Sequence, residues 1–522
     1  MIDTVALREK VLDLAIRGKL VPQDPNDEPA SVLLERIRAQ KQQMVKDGKL
    51  KAKDIKDDSI IFVGEDNLHY EKFADGTVKC LVDEVPFSLP NGWEWSRVKT
   101  FCTLNPKNIL PDDEHASFIP MPLIKEGYAN EHSYEERTWG LIKNGFTHFA
   151  NDDIGIAKIT PCFENRKSVV FRNLTHGVGS GTTELFIVRS ISDQVLTDYL
   201  LWNFKTQRFI DGGVQTYTGD VGQQRVRREY LANYLIAIPP INEQIRILKS
   251  IDCSFKLIDT IDESQCEMSE LIIKARSKIL DLAIRGKLVP QNPDDEPASV
   301  LLKRIRAEKE ELIRQGKIKR DKKESVIFKG EDNSYYEKIG DFIIEITDEI
   351  PFELPSNCLF VRFKDVWELL SGRDLAPGDY NDQGEGIPYI TGASNFFNGT
   401  VAISRWTTAP QVITKQGDLL ITCKGTVGEI ALNTFGDAHI ARQIMAMRNN
   451  YNLNIDYLSL CIKYYIESLK TAAKGLIPGI SREDVLNLIL PLPSEAYQKS
   501  VVNRVTELFE IIEHIKGASS LS

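Results

Sequence analysis

The chain contains no run of 18 apolar residues among its 522, which excludes a membrane-spanning helix. It also lacks a basic balance: 65 Lys and Arg face 75 Asp and Glu, for a net charge of −10. That argues against a freestanding nucleic-acid binder, but leaves room for a local basic surface or for binding shared with partner subunits. Paired cysteines are missing as well. The eight present (Cys80, Cys102, Cys162, Cys253, Cys266, Cys358, Cys423 and Cys461) stand singly, with no CxxC spacing and no Cys/His cluster. Neither a zinc site nor a disulfide framework is expected, and the natural setting is a reducing cytoplasm. The opening MIDTVALREKVLDLAIRGK reads as an amphipathic helix with acidic residues, not as a signal peptide.

Catalytic motifs are equally scarce. No GxxxxGK[ST] occurs, and Gly18-Lys19-Leu20 lacks both the upstream glycine and the hydroxyl of a phosphate loop. The seven histidines show no HExxH or HxH spacing. GxSxG is absent and Cys162 has no evident base. Asn105-Pro106-Lys107 lacks the second proline and the aromatic that would hold a flipped base, so it reads as a turn. The acidic runs Asp112-Asp113-Glu114 and Asp152-Asp153 read as solvated loop charge.

What the chain has instead is a duplication. LDLAIRGKLVPQ occurs at Leu12–Gln23 and again at Leu280–Gln291, followed in both copies by EPASVLL (28–34, 296–302) and RIRA (36–39, 304–307). Weaker matches continue through GEDN (64–67, 330–333), YEK (70–72, 336–338) and Leu89-Pro90 with Leu354-Pro355. Each copy predicts a helix ending at Gly18 or Gly286, a Pro-rich turn, and a second helix over about 31–46 or 299–314. Two short strands should follow, near 60–63 and 78–82, and near 326–329 and 342–346. After each copy comes a divergent, β-rich block, 96–238 and 358–492, with one helix each near 197–210 and 455–471. These blocks align loosely: Arg228-Glu229 with Arg482-Glu483, Asn233 with Asn487 and Pro239 with Pro493, all 254 residues apart.

Between the blocks lies the longest element. From Ile241 to Arg285 there is neither proline nor glycine, and apolar residues recur at 241, 245, 248, 251, 255, 258, 261, 268, 272, 275, 279 and 282. This spacing predicts one helix of about 68 Å with a single buried seam. The C-terminal pattern Val501, Val505, Leu508, Ile512, Ile515 matches its first half, and residues 3–23 match its second. The leftover stretches agree in length, eight residues at 263–270 and eight at 517–522 plus 1–2. The repeat is therefore cyclic, and predicts two long antiparallel helices, a pseudo-two-fold axis and neighbouring termini. The resulting segments are 1–95, 96–238, the central helix 239–290, the repeated connector 291–357, 358–492 and 493–522.

Loops in the two blocks carry groups suited to double-stranded DNA. In the first they are Lys158, Thr160, Arg166, Lys167, Ser180, Thr182, Thr183, Gln223, Gln224 and Arg225; in the second, Ser394, Asn395, Lys424, Thr426, His439, Arg442, Gln443, Ser481 and Arg482. Arg and Lys suit phosphate or guanine, Gln and Asn suit adenine, and the glycines among them allow close backbone approach.

The duplicated LDLAIRGKLVPQ and EPASVLL resemble conserved regions of the specificity subunits of type I restriction–modification enzymes. So do KITPCFEN (158–165), GSGTTELFIVR (179–189), GQQRV (222–226), IPPINEQ (238–244) and PGISRED (478–484). The resemblance implies an α+β chain in which two target-recognition domains, 96–238 and 358–492, are separated by two antiparallel helices. Each domain would read one half of a bipartite, asymmetric DNA site, from one face of the duplex and about 34 Å apart. It implies two methyltransferase subunits as partners and two restriction subunits in the full enzyme, with no membrane. It also implies no catalytic residue, metal or cofactor in this chain: S-adenosylmethionine would sit on the methyltransferase, ATP and Mg on the restriction subunit, all in a bacterial or archaeal cytoplasm. The EPASVLLxRIRA helices are candidates for the methyltransferase contact. One departure stands out: the C-terminal helix opens PLPSEAYQ, so Gln498 aligns with Gln244 while the neighbouring acid has moved. Two other readings stay open. A self-sufficient methyltransferase or endonuclease would transfer methyl groups or cut without partners, and the scaffold of a degenerate defence locus would fail to shift DNA with or without them.

Overall fold

The computed structural model describes residues 2–52, 55–56, 58–220, 222–318, 320, 324–397, 399–472 and 479–518. Pro478 of PGISRED and most of the joined terminal stretch (1 and 519–522) lie outside the described residues. The chain divides into two units, Ile2–Gln265 and Cys266–Ser522, split within the central helix.

In the N-terminal unit, α1 (Thr4–Ile16) is capped by the Asp3 carboxylate, which accepts from the Ala6 N–H. It ends in a Schellman turn: Lys19 N–H bonds Leu14 O and Gly18 N–H bonds Ala15 O. Gly18 has φ +64°, and a Cβ there would sit 2.4 Å from Pro90. Gly286 repeats this with φ +67° and Pro355 at 2.8 Å, which accounts for the pairing of the repeated glycine with the repeated Leu-Pro. Then come α2 (Ala30–Lys46) and a three-stranded antiparallel sheet, β1 (Ser59–Val63), β2 (His69–Phe73) and β3 (Val78–Cys80). The sequence predicts only two strands here. The middle strand hides behind charge, because Glu71 points inward to an ion pair instead of into apolar core. The α2 residues Leu33, Leu34 and Ile37 are buried in the unit's own core.

The first β-rich block opens with β4 (Glu94–Arg97) and closes with β13 (Leu235–Ile238), paired antiparallel. Between them lie β5 (Cys102–Leu104), β6 (His115–Ile119), β7 (Glu135–Thr138), β8 (Thr147–Ala150), β9 (Ile154–Ala157), β10 (Ser168–Val170), β11 (Val178–Gly181) and β12 (Leu185–Ser190). They form two four-stranded sheets, ordered β10-β9-β12-β5 and β7-β6-β11-β8. The second contains a parallel pair, β6 with β11. The expected helix at 197–210 is two helices, α3 (Thr197–Phe204) and α4 (Gln207–Val214), because Thr206 caps the second through its hydroxyl.

The long helix α5 (Ile241–Ile284) follows. Its first part runs antiparallel to α1: Arg8 bridges Asp259 at 2.5 Å and Asp262 at 2.9 Å, and Gln265 donates to Ile2 O. The buried stripe differs from the expected seam. Ile245 is 53% exposed, whereas Gln244, Ile247, Ile251, Phe255 and Ile258 are buried. The 3.6-residue period carries the stripe through Gln244 because this end packs on the β-rich block. Gln244 accepts from Leu196 N–H and donates to Gln194 O and Pro239 O. Met268 and Ala275 are likewise exposed.

The C-terminal unit repeats this plan. It contains α6 (Ala298–Arg314), the sheet β14 (Ser325–Lys329), β15 (Tyr335–Ile339) and β16 (Phe342–Glu345), and the pair β17 (Leu359–Arg362) with β26 (Ile489–Leu492). The second block holds β18 (Glu368–Ser371), β19 (Ile387–Ile390), β20 (Trp406–Thr407), β21 (Ile413–Thr414), β22 (Leu419–Thr422), β23 (Ile430–Leu432), β24 (Ala438–Ile440) and β25 (Ile444–Arg448). The sheet orders, β18-β25-β22-β23 and β20-β19-β24-β21, are those of the first block, including the parallel pair β19 with β24. Helices α7 (Ile455–Ala472) and α8 (Glu495–Ala518) complete the unit. The end of α5 runs antiparallel to α8: Arg276 pairs with Glu513, and Tyr497 donates to Val289 O.

The altered opening of α8 has a local explanation. Gln498 donates to Pro493 O as Gln244 does to Pro239 O. Glu243, whose partners are Trp93 Nε1 (2.9 Å) and Gln23 (3.1 Å), is replaced by Tyr497, with Cys358 facing it in place of Trp93 and Gln291 bonded to Cys358. A charge network has become a tyrosine hydroxyl bonded to a carbonyl at 2.9 Å. We expect Tyr497→Phe to lower the stability of the C-terminal unit by about 1 kcal/mol, the worth of one such bond, read from its denaturant midpoint.

Candidate nucleic-acid interface

The two blocks share a station at one end of a sheet. In the first, the segment after β9 meets the residue before β12, where Lys158 N–H donates to Glu184 O at 3.0 Å. A third segment joins: Val226 N–H donates to Lys158 O at 2.9 Å and Thr160 N–H to Gln224 O at 2.9 Å. In the second, Cys423 N–H donates to Gln443 O at 2.7 Å and Ile480 N–H to Cys423 O at 2.9 Å. The same three backbone segments therefore converge in both. Val226 and Ile480 anchor them, each buried. Asn105, part of the expected turn, has φ +53° and serves this sheet, its backbone and side chain both bonding Ile187.

At this edge of the first block stand Lys158, Thr160, Thr182, Thr183, Gln223, Gln224 and Arg225, the surface residues among those expected. Lys158 Nζ lies 5.5 Å from the centre of the Phe186 ring. The Thr160 hydroxyl donates to Glu164, which also accepts from Tyr217. Arg225 pairs bidentately with Glu184, Nε at 2.8 Å and Nη2 at 2.9 Å. The guanidinium holds the Glu184 carboxyl below its ordinary range.

At the equivalent edge of the second block, Lys424, Thr426, Arg442, Gln443, Ser481 and Arg482 are exposed, with Ser394 on the adjoining loop. Lys424 pairs with Gly479 in an isolated β-bridge. Asp374 holds Arg442 (2.7 Å), Ser371 accepts from Arg482 (3.1 Å), and Ser481 caps the short helix Arg482–Leu486 through Asp484 N–H.

Five expected residues are placed elsewhere. Ser180 is fully buried and donates to Ile142 O at 2.7 Å; it is the penultimate residue of β11. His439, penultimate in the corresponding β24, is also fully buried, its ring nitrogens against Val412 O and Arg373 O. Burial pushes its pKa down. Asn395 is buried and organises its own loop, accepting from Thr391 and donating to Ala402 O. Arg166 turns toward α1, bonding Glu9 at 2.9 Å, Lys205 O at 2.9 Å and Gln207. Lys167 reaches Met121 O at 3.5 Å. All five bond carbonyls or carboxylates of the chain itself, Ser180 and His439 from within strands and the other three from loops.

Sequence reasoning missed Glu184, Tyr217, Ser371 and Asp374, which hold the exposed groups in place. Nothing local marks them: Glu184 and Arg225 lie 41 residues apart, and Asp374 and Arg442 lie 68 apart. No His, Cys, Asp and Glu grouping able to hold a metal occurs among the described residues. No helix of the described residues is long and apolar enough to cross a membrane.

The comparisons agree on one family. The family model described as "Type I restriction modification DNA specificity domain" matches residues 355–520. The chain is 34% identical to the type I restriction enzyme EcoEI specificity subunit of Escherichia coli, over 98% of this chain and 90% of that one. It is 33% identical to the EcoAI specificity subunit of the same organism, with the same coverage. Among solved structures, a chain from a study of complex assembly and conformational transition of the type I R-M system aligns with TM-score 0.58 at 18% identity, over 83% of this chain and 94% of that one. The HsdS subunit from Thermoanaerobacter tengcongensis aligns with TM-score 0.51 at 17% identity, over 84% and 94%.

Proposed function

The chain belongs to the specificity subunits of type I restriction–modification enzymes, and from that premise we propose how its two β-rich blocks divide the recognition of DNA. Each block reads one half of a bipartite site with the loops after β9 and β22. The observation that carries this reading is the shared station: three segments meet by the same backbone bonds in both blocks, yet expose different side chains. One scaffold with two inventories is what two unlike half-sites require.

The chain itself transfers no methyl group and cuts no strand. Its partners are two methyltransferase subunits, which bring S-adenosylmethionine, and two restriction subunits, which bring ATP and Mg. The repeat supports paired partners, since the segment from LDLAIRGKLVPQ through EPASVLL occurs twice. The outward residues of α2 and α6 are mainly charged, with Val32 and Val300 partly exposed among them, and they offer a mixed surface for the methyltransferase. The acidic balance fits a clamp whose phosphate contacts come largely from those partners.

The helices set the gap between half-sites. The test is to map methylated bases in a host carrying this chain and its methyltransferase. The unaltered chain is expected to mark a bipartite site with two different halves. Removing one turn from α5 and one from its two-part counterpart α1/α8 is expected to change the gap and keep the halves; altered halves with an unchanged gap would sink the reading.

A further inference from the structure

Glu184 and Gln443 occupy the same position. Each is the last residue before the inner strand, and each accepts through its carbonyl from the segment opposite, Lys158 in one block and Cys423 in the other. Arg225 and Gly479 also coincide, each preceding the buried Val226 or Ile480. The first block therefore presents a Glu–Arg pair where the second presents a glutamine beside a glycine.

The Arg225 guanidinium has five N–H donors. Glu184 takes Nε–H and one on Nη2, and Gln223 O takes one on Nη1 at 3.1 Å. One donor is left on each of Nη1 and Nη2. Such a pair of donors matches the two acceptors O6 and N7 of guanine. The side chain remains 41% exposed, so this end of it is within reach of a ligand, while Glu184 fixes its rotation.

Gln443 offers a donor and an acceptor on one amide, the complement of adenine N7 and N6. It makes no side-chain hydrogen bond among the described residues. It lies across Gly392, where a Cβ would come within 2.4 Å of its Oε1. The loop glycine thus leaves the room that the amide occupies.

We propose that this position determines base identity in both half-sites: Arg225, held by Glu184 as a positioning residue, reads a guanine in one half, and Gln443 reads an adenine in the other. This rests on the recognition reading above. The experiment is sequencing of methylated sites in a host carrying the chain with its methyltransferase subunits. Arg225→Ala is expected to relax one G·C pair in one half, and Gln443→Ala one A·T pair in the other half. Each should reduce discrimination there roughly 10- to 100-fold. Glu184→Gln should weaken discrimination at the Arg225 pair alone, which a merely structural role would not do. If Arg225→Ala abolishes modification, Arg225→Lys decides: it keeps the cation without the fork, and unchanged preference at that G·C pair overturns the proposal. Relaxation of the same half by both variants, relaxation at other base pairs, or a partial loss that is equal at all sites also overturns it. A chain that, unaltered, directs no bipartite methylation would refute the recognition reading itself, and this proposal with it.

Discussion

Arg97→Ala is expected to destabilise the N-terminal unit by about 3–5 kcal/mol, the usual result of removing one partner from a buried ion pair. Arg97 is 8% exposed and Glu71 2%. The guanidinium donates to Glu71 at 3.0 and 2.7 Å, to Glu84 at 2.8 Å and to Asn233 O at 2.6 Å. Burial alone would push the Glu71 carboxyl up, but bonds from Arg97 and Ser59 outweigh it and hold the carboxyl below its ordinary range. Without Arg97, that carboxylate has one hydroxyl left as a partner in the core. The arginine also joins β4, the strand that opens the first β-rich block, to Asn233, near the close of that block, so its loss loosens both. Arg362 repeats the arrangement with Glu337, Glu349 and Asn487 O, and Arg362→Ala should cost the other unit as much. Urea unfolding followed by tryptophan fluorescence measures the first effect directly, since four of the six tryptophans lie in the N-terminal unit. Glu84→Ala, at a carboxylate 34% exposed, should cost under about 1 kcal/mol. A loss from Arg97→Ala no larger than that would show the pair to be dispensable.

Asp365→Asn is expected to stabilise the C-terminal unit, and to do so only above acid pH. Burial pushes the Asp365 carboxyl from 3.8 up to about 6, against the hydrogen bonds from Ser325 that pull it down. The folded chain thus holds this proton more tightly than the unfolded chain. From pH 3.8 to about 6 the folded state binds more protons, so stability falls as pH rises through that window, and the cost persists above it. A rise of that size is worth about 3 kcal/mol at most. Asparagine keeps an acceptor for Ser325 and removes the charge. Its advantage should approach that figure at about pH 8 and vanish below about pH 4, read as the difference in unfolding midpoints at the two pH values. An advantage independent of pH would mean that packing, not ionisation, is responsible. The equivalent position in the N-terminal unit is Thr100, also buried and already neutral.

Several features were legible because they depend on local repetition. The duplicated segments each carry a helix, its glycine turn and a second helix within a residue or two of expectation. The glycine and the Leu-Pro recur together because they touch. The alignment of Asn233 with Asn487 holds in the fold as well, since Arg97 bonds one carbonyl and Arg362 the other. Periodicity was a poorer guide where packing partners change along an element. The seam of α5 is set by α1 at one stretch and by the β-rich block at another, so Ile245 is exposed and Gln244 buried.

The candidate site was legible only in part. Three loop segments meet by backbone bonds in each block, but composition could not separate Lys158 and Arg442, which face solvent, from Ser180 and His439, which lie inside β11 and β24. Both types occur among small and polar neighbours. A residue's side of a sheet depends on register with strands far away in the chain.

The sequence by itself determined the duplication, the family, the proline-free length of α5 and the polar loop segments of the two blocks, because each is written in contiguous residues or fixed spacings. Folding in three dimensions decided that two blocks with little sequence in common share one strand order. It also decided that Glu184 grips Arg225 where the Gln443 side chain has no hydrogen-bond partner among the described residues, and that five of the expected contacts bond within the chain. Those outcomes depend on pairings between residues tens of positions apart, and hydrogen-bond satisfaction at such pairings is settled only when the strands are in register.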